Sequence, residues 1–322
     1  MKVLYIVNTP MLSVQTHIIE YLRSKEVNVI VEQTTDAGEY NWKRFAQKSF
    51  QDKHLDAKYD FIISNTHSTY PQFRSFQNVV KPKVGFIDLE HDLLNCRPEF
   101  SIDYGNSAIL IFHNKYFNYA KEHLPTRKLI KCRWPLLDVT FESVDFKESS
   151  LYKDVIIVDT YAFNSTLGKN MKLPEGFRKF WYKKYLPGRG HPANVNPLPD
   201  YCCYPKGVKY CFDICKFVLT RQSSIFVESL LFGAIPILFT YCLEENKKHN
   251  EMFSYVRLKN NPLPKFKAII ADNSLSEKLE KLRADKVFFE KIQKELFLEW
   301  FDEDYFSLPS AHEAMWDFMK EM

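Results

Sequence analysis

The residues with the clearest chemical pattern lie at positions 217–239, FVLTRQSSIFVESLLFGAIPILF. Apolar runs at both ends of this segment predict two buried strands, and residues 224–232 predict a short helix between them. Ser223 and Ser224 lie at the start of this helix, where the first backbone N–H groups have no partner inside the helix. These N–H groups, the positive end of the helix dipole and two hydroxyls together favour binding of an anion such as phosphate.

A simpler interpretation of the serine pair is that one serine only caps the helix. A capping box would place Glu or Gln three residues after the cap, but from Ser224 that position is Val227. Glu228 is therefore not explained by capping. A carboxylate one turn into the helix, beside a bound phosphate, is placed to accept hydrogen bonds from ribose hydroxyls. Gly233 fits the C′ position at the end of the helix.

This segment resembles the C-terminal domain of glycosyltransferases that have the GT-B fold. Their pattern here is a strand, Ser-Ser or Ser-Thr, Glu-Ala-Leu, Gly-x-Pro and a second strand. The chain has Ser223-Ser224, Glu228-Ser229-Leu230 and Gly233-Ala234-Ile235-Pro236 at the corresponding places. The resemblance implies that the helix start binds the phosphates of a nucleotide-activated donor and that Glu228 binds its ribose. Pro236 departs from the rule that central strands avoid proline.

A His-Pro pair, His191-Pro192, precedes the serine pair along the chain. Bacterial sialyltransferases, capsule Kdo transferases and polyglycerolphosphate transferases carry such a pair ahead of Ser-Ser or Ser-Thr. The resemblance implies that His191 donates a hydrogen bond to a donor phosphate and stabilises the leaving nucleotide. Arg189 and Arg221 are further candidates for the same phosphate. The alternative for His191 is a loop histidine without a role.

Retaining enzymes of this fold often have two glutamates in this segment, but Thr220 occupies the place of the first. The resemblance therefore implies an inverting enzyme, in which a base from the N-terminal domain activates the acceptor hydroxyl. Asp88, Glu90 and His91 form the densest acid–base group after a predicted strand, and they are the leading candidates.

Two other polar groups that follow predicted strands, residues 64–67 and His113-Asn114, are alternative positions for the base. Ordinary polar loop residues are the competing interpretation for all three groups. The turn after the first predicted strand has no Gly-rich fingerprint, so a dinucleotide in the first domain is not expected.

Short apolar runs alternate with helical stretches through the first half of the chain. Runs of this length between helices are typical of a parallel sheet that is buried on both faces. The same alternation restarts at residue 154, after a polar segment. The sequence therefore predicts an α/β fold with two doubly wound Rossmann-like domains facing across a cleft. The strands of the first half are expected at residues 3–7, 27–31, 61–64, 84–87, 108–112 and, with a weaker pattern, 129–132.

A chain of 322 residues is long enough for two domains. The expected division is an N-terminal acceptor-side domain at 1–140, a linker at 141–153 and a nucleotide-sugar-binding domain at 154–300. Residues 301–322 are expected to form a helix that packs across the domain junction. Residues 188–206 are rich in Pro, Gly and Asn and are expected to be loop.

The composition excludes several classes of protein. The net charge of +4 does not indicate a nucleic-acid-binding protein. No apolar run of about 18 residues exists, so no transmembrane segment is expected. The seven cysteines, an odd number, do not suggest a secreted disulfide framework, so a reducing, cytoplasmic setting is expected. They include no C-x₂-C pair, so no metal is expected. No cofactor is expected either, because the resemblance makes the nucleotide-activated donor a substrate.

The expected reaction is metal-independent transfer of a sugar from a CMP-, CDP- or UDP-linked donor to a glycan, as in polysaccharide biosynthesis. One alternative is a phage-type enzyme that glycosylates hydroxymethylated pyrimidines in DNA, which would require a basic, salt-sensitive surface. A nucleotide-sugar epimerase of the same fold and a non-catalytic nucleotide-sugar-binding protein are the others. The oligomeric state is not indicated by the sequence.

Overall fold

The computed structural model describes most of the chain in two compact units. One unit comprises residues 1–140 and 302–322, and the other comprises residues 141–301. The described residues are 1–7, 12–33, 35–36, 39–40, 42–64, 71–89, 107–138, 155–158, 188–189, 216–220, 225–238, 252–256, 265–272 and 274–322. The predicted linker at 141–153 lies outside them.

The strands are short, as expected for a sheet covered on both faces. Those of the first unit are β1 (Lys2–Val7), β2 (Asn28–Gln33), β3 (Thr35–Asp36), β4 (Glu39–Tyr40), β5 (Phe61–Ser64), β6 (Gly85–Leu89), β7 (Ala108–Ile111) and β8 (Lys128–Lys131). Those of the second unit are β9 (Val155–Val158), β10 (Gly188–Arg189), β11 (Phe217–Thr220), β12 (Ile235–Leu238), β13 (Ser254–Val256) and β14 (Phe266–Ile270).

The described part of the chain contains eight α-helices. They are α1 (Leu12–Ser24), α2 (Lys48–Leu55), α3 (Pro71–Val79), α4 (Asn114–His123), α5 (Ile225–Leu231), α6 (Leu275–Ala284), α7 (Lys286–Trp300) and α8 (Ala311–Glu321). Short 3₁₀ helices cover Trp42–Ala46, Pro135–Asp138 and Tyr305–Ser307. α7 is the longest of these helices at 15 residues, and none of the described helices has the length and hydropathy to cross a bilayer.

The first unit is built on a six-stranded sheet in the order β2-β1-β5-β6-β7-β8, and every neighbouring pair in it is parallel. The chain first adds β2 on one side of β1 and then continues with β5 on the other side. This reversal makes the sheet doubly wound. The apolar runs are buried because helices cover the sheet, and the weak strand pattern near residue 129 is confirmed as β8.

The second sheet has the order β10-β9-β11-β12-β14-β13. Its strands are parallel except for β13, which pairs antiparallel with β14 at one edge. The order reverses at β9, so this sheet is also doubly wound. The expectation that residues 188–206 are all loop is wrong at its first positions, because Gly188 and Arg189 pair with β9. A two-residue strand is too short to leave a pattern in the sequence.

Pro236 is the second residue of β12, an interior strand. The neighbouring Ile235 donates its N–H to the carbonyl of Lys216, on the β11 side. Successive residues of a strand direct their N–H groups to opposite sides, so the nitrogen of Pro236 faces β14. Pairing with β14 starts only at Ile237, so the missing N–H of the proline costs no ladder hydrogen bond.

The chain ends in the first unit. α8 packs against α1 and β7, and Tyr305 accepts a hydrogen bond at its hydroxyl from the buried backbone N–H of Trp134 at 2.8 Å. Residues 302–322 therefore belong to the first unit, although they follow the second unit in the sequence. The expectation that residues 301–322 pack across a domain junction stays a prediction.

Candidate functional site

The topological switch point of the second sheet lies between β9 and β11. Ligands of open α/β sheets bind outside the carboxyl ends of the strands at such a point. At this edge Val158, the last residue of β9, pairs in register with Thr220, the last residue of β11. Arg221, Ser223 and Ser224, the predicted phosphate-binding residues, follow Thr220 directly in the chain and lie outside the described residues.

Glu228 lies in α5, the helix that connects β11 to β12. All seven residues of α5 are buried, and 5% of Glu228 is exposed. Burial disfavours an ionised carboxylate unless hydrogen bonds or opposite charges compensate. The predicted position of Glu228, one turn into the helix, is confirmed. Its predicted contact with ribose stays a prediction.

The end of α5 is fixed by Gly233, as the sequence predicts. Gly233 has φ +78°, in the left-handed region that favours glycine. The N–H of Gly233 donates to the carbonyl of Leu230 at 3.2 Å, and the N–H of Ala234 donates to the carbonyl of Ser229 at 3.0 Å. This is the hydrogen-bond pattern of a Schellman motif. It turns the chain directly into β12.

Arg189 lies on β10, and its backbone is in register with Val158 of β9. Since Val158 is in turn in register with Thr220, the backbones of Arg189 and Thr220 are two strand spacings apart, about 10 Å. Both positions are at the carboxyl edge of the sheet. His191, two residues beyond Arg189, lies outside the described residues.

The predicted base group begins at Asp88, the fourth residue of β6. Arg127, whose side chain is 1% exposed, donates to the carboxylate of Asp88 at 3.0 Å. Burial raises the pKa of Asp88, and the charge and hydrogen bond of Arg127 oppose that rise. Glu90 and His91 lie outside the described residues.

Of the alternative base positions, His113 is the N-cap of α4, and its Nδ1 accepts a hydrogen bond from the N–H of Tyr116 at 3.2 Å. This hydrogen bond occupies Nδ1 and holds the ring at the start of α4. Asn114 donates to Asp302 at 2.7 Å and accepts from Lys131 at 2.7 Å. Both residues therefore have structural partners. Ser64 is buried, and positions 65–67 lie outside the described residues.

The structure adds charged residues that the sequence did not single out. Glu32, at the carboxyl end of β2, lies 3.1 Å from Arg44, 2.9 Å from Lys53 and 3.3 Å from His54. The ring of His54 is also 2.8 Å from the hydroxyl of Tyr59. These side chains come from β2, the first 3₁₀ helix, α2 and the turn before β5, and no spacing rule connects them. Arg127, the partner of Asp88, has no sequence signal for the same reason.

No protein-family model and no curated protein matches the sequence. Solved structures do match it. The glycosyltransferase SnogD from Streptomyces nogalater aligns over 100% of this chain and 99% of its own at 12% identity, with a TM-score of 0.55. The UDP-GlcNAc 2-epimerase from Neisseria meningitidis bound to UDP-GlcNAc aligns over 100% of both chains at 12% identity, also with a TM-score of 0.55. The wall teichoic acid polymerase TagF aligns over 99% of this chain and 88% of its own at 10% identity, with a TM-score of 0.52.

A likeness at 10–12% identity shows a shared fold. It agrees with two doubly wound sheets in one chain, each with its own switch point. The predicted fold class is confirmed: this chain has the GT-B fold, with two Rossmann-like α/β units.

Proposed function

We propose that the chain is an inverting glycosyltransferase that transfers a sugar from a nucleotide-activated donor to a glycan acceptor, without a metal cofactor. The observation that carries the proposal is the position of the connection between β11 and α5. This connection, which contains the serine pair, starts at the switch point of the second sheet. A donor nucleotide is therefore expected at the carboxyl edge of β9 and β11.

The donor phosphates would bind Ser223 and Ser224 together with the backbone N–H groups that open α5. Four residues join Thr220, the last residue of β11, to Ile225, the first residue of α5. Arg221 belongs to the same connection, and Arg189 lies at the same edge on β10. His191 follows Arg189 by two residues and would donate to the phosphate of the leaving nucleotide, where negative charge develops.

Glu228 would accept hydrogen bonds from the ribose hydroxyls through one carboxylate oxygen. The Schellman motif and the packing of α5 hold its helix against the sheet, which fixes the position of this carboxylate. A rigid carboxylate next to the phosphate site would contribute to nucleotide affinity and would distinguish ribose from deoxyribose.

The base in this proposal comes from the segment that follows β6. Asp88 is already engaged by Arg127, so its role would be to hold the end of β6 in place. Glu90 or His91 would then accept the proton of the acceptor hydroxyl. The donor is expected to be CMP- or CDP-linked on the strength of the His-Pro resemblance, with UDP close behind.

Thermal-shift measurements with CMP, CDP, UDP and GDP test this proposal. A ligand present at about 100 times its Kd stabilises the folded state by ~2.7 kcal/mol, so one of the pyrimidine nucleotides is expected to raise the Tm. Replacing both serines, Ser223→Ala with Ser224→Ala, is expected to abolish the shift. The matched control is Ser276→Ala, an exposed serine in α6, which should keep it. If no nucleotide stabilises the wild-type protein, the assignment is wrong.

A nucleotide-sugar epimerase is the second candidate, because the UDP-GlcNAc 2-epimerase has the same fold over the whole chain. An epimerase needs no acceptor, so incubation with donor alone distinguishes the two reactions. An epimeric sugar nucleotide in that incubation would favour the epimerase, and an unchanged donor favours the transferase.

A gel shift with duplex DNA at two salt concentrations separates a DNA acceptor from a glycan.

A further inference from the structure

Three side chains from distant parts of the sequence converge in the first unit. His17 is in α1, Asp138 is the last residue of the 3₁₀ helix Pro135–Asp138, and His312 is in the first turn of α8. One nitrogen from each imidazole and one carboxylate oxygen of Asp138 all lie within 4.8 Å of one another. Two imidazoles and a carboxylate are a donor set that binds zinc in proteins.

The two imidazole rings are already close to the arrangement that a shared ion requires. Their centroids are 5.7 Å apart and their planes are inclined at 86°. With Zn–N bonds of about 2.0–2.1 Å and tetrahedral geometry, two bound imidazoles have centroids roughly 5 Å apart. The donor atoms themselves would be about 3.3 Å apart, so binding requires an approach of at most roughly 1.5 Å. Small side-chain rotations cover that distance.

The two carboxylate oxygens of Asp138 differ in their hydrogen bonds. Its Oδ1 accepts a hydrogen bond from Arg133 at 3.0 Å. Its Oδ2 is buried and has no hydrogen-bond partner in the described part of the chain. Nδ1 of His312 is likewise buried without a partner among the described residues. Unpaired buried polar atoms cost free energy, and a cation between them would remove that cost.

A transition-metal ion binds neutral imidazole and ionised carboxylate. The carboxylates of Asp138 and Glu313 and the guanidinium of Arg133 all interact electrostatically with His312. Two carboxylates thus lie near one guanidinium, so a cation would meet an excess of negative charge.

The second coordination layer is also ordered. Glu313 is held by a capping box with Ser310, which fixes the start of α8 and with it the backbone of His312. The ring of Tyr21 lies against the ring of His312, with centroids 4.3 Å apart. Partners that orient the ligands in this way raise metal affinity.

We propose that His17, Asp138 and His312 bind a divalent transition-metal ion of the zinc class and that this ion fastens α8 to α1. Nitrogen ligands select zinc-like ions over Mg²⁺ and Ca²⁺, which prefer oxygen. Water completes the coordination. The role of the ion is structural, because it joins α8 to α1 and to the 3₁₀ helix Pro135–Asp138 within the first unit. The donor residues proposed above belong to the second unit, so the two proposals stand or fall separately.

Metal-free full-length protein titrated with zinc chloride tests the proposal by calorimetry and elemental analysis. One zinc per chain is expected, with a higher Tm for the first unit. His312→Ala and Asp138→Asn are each expected to weaken zinc binding by at least about 100-fold, since loss of an orienting partner alone costs 10–100-fold. Asp138→Asn preserves the shape of the side chain and an oxygen for Arg133. His123→Ala, an exposed histidine at the end of α4, is the matched control and should leave the affinity unchanged.

Cobalt(II) substitution identifies the ligands. The cobalt(II) protein is expected to show visible d–d absorption bands but no thiolate charge-transfer band. The absence of that band would distinguish this site from one formed by any of the seven cysteines. Circular dichroism verifies that the variants are folded, and if His312→Ala is not, Asp138→Asn decides. The proposal is overturned if the wild-type chain takes up no zinc, if a thiolate band accompanies the bound ion, or if Asp138→Asn binds zinc as the wild type does.

Discussion

Asp88 and Glu32 are both partly buried carboxylates of the first sheet, yet their pKa values shift in opposite directions. Burial raises the pKa of Asp88 even though Arg127 donates to it. Glu32 lies among Arg44, Lys53 and His54, and the hydrogen bond with His54 is the largest cause that lowers the pKa of Glu32 to about 2. The balance between burial and the donors around each carboxylate therefore sets the direction of its pKa shift.

Glu32→Gln is expected to destabilise the protein by about 1–2 kcal/mol at pH 7, after allowance for solvent screening of the exposed cations. The folded-state pKa of Glu32, about 2, is below the ordinary glutamate pKa of 4.5, so the stabilisation is complete above pH 4.5 and is lost as the pH falls towards 2. Denaturant titrations of both proteins at several pH values measure this difference. Glu280→Gln, at an exposed position of α6, should show no such trend. An unchanged stability difference down to pH 3 would contradict the prediction.

Glu90→Ala and His91→Ala are expected to leave donor binding intact and to reduce sugar transfer. Loss of a general base lowers turnover by roughly 10²–10⁴-fold. Donor affinity from calorimetry and turnover with excess acceptor separate the two effects. Wild-type turnover in both variants would place the base elsewhere.

At the scale of elements, α5 links β11 and β12, the two central strands of the second sheet. The helix is short and fully buried, and the Schellman motif at its C-terminus turns the chain into β12. Pro236 then follows at a position where its missing N–H has no ladder partner. These two local devices allow a tight strand–helix–strand connection.

Gly233→Ala is expected to cost about 1 kcal/mol of stability, because a side chain in the left-handed region is strained. An added Cβ would meet no atom within 4 Å, so backbone strain is the whole cost. Gly233→Asn is expected to cost less, since asparagine tolerates this conformation. The free energies of unfolding of the two variants test this order. Equal stability of the alanine variant and the wild type would contradict it.

At the scale of the whole molecule, the first unit is made from both ends of the chain. Residues 302–322 follow the second unit in the sequence but belong to the first, and α8 packs on α1 and β7. At the start of this segment, Asp302 forms an ion pair with Lys131 at 3.0 Å. Stability of the first unit therefore depends on residues far away in sequence.

Met315→Ala, a fully buried position in α8, is expected to destabilise the first unit by about 2–5 kcal/mol. Compared with the wild-type protein, the variant should show a larger increase in the native-state hydrogen-exchange rates of α1 and β1 than in those of α7 and β14. Met322→Ala, at an exposed terminal position, is the control. Faster exchange confined to the second unit would contradict this division of the chain.

Much of this molecule could be predicted from local patterns. The apolar runs gave the parallel strands within one or two residues, and Gly233 marked the end of α5. The strand β10 could not be predicted, because its two residues are too few to show an apolar pattern and its strand structure depends on pairing with β9. The charged cluster of Glu32, Arg44, Lys53 and His54 was missed because these residues come together only in the folded protein.

The sequence by itself determined the order of elements, the two-unit plan and the candidates for phosphate binding, because periodicity, caps and turns act over neighbouring residues. Tertiary structure alone decided which strands adjoin and therefore where the switch points lie. It also brought His17, Asp138 and His312 together from three distant segments. Sheet order and such convergences depend on long-range packing, which no local spacing of residues encodes.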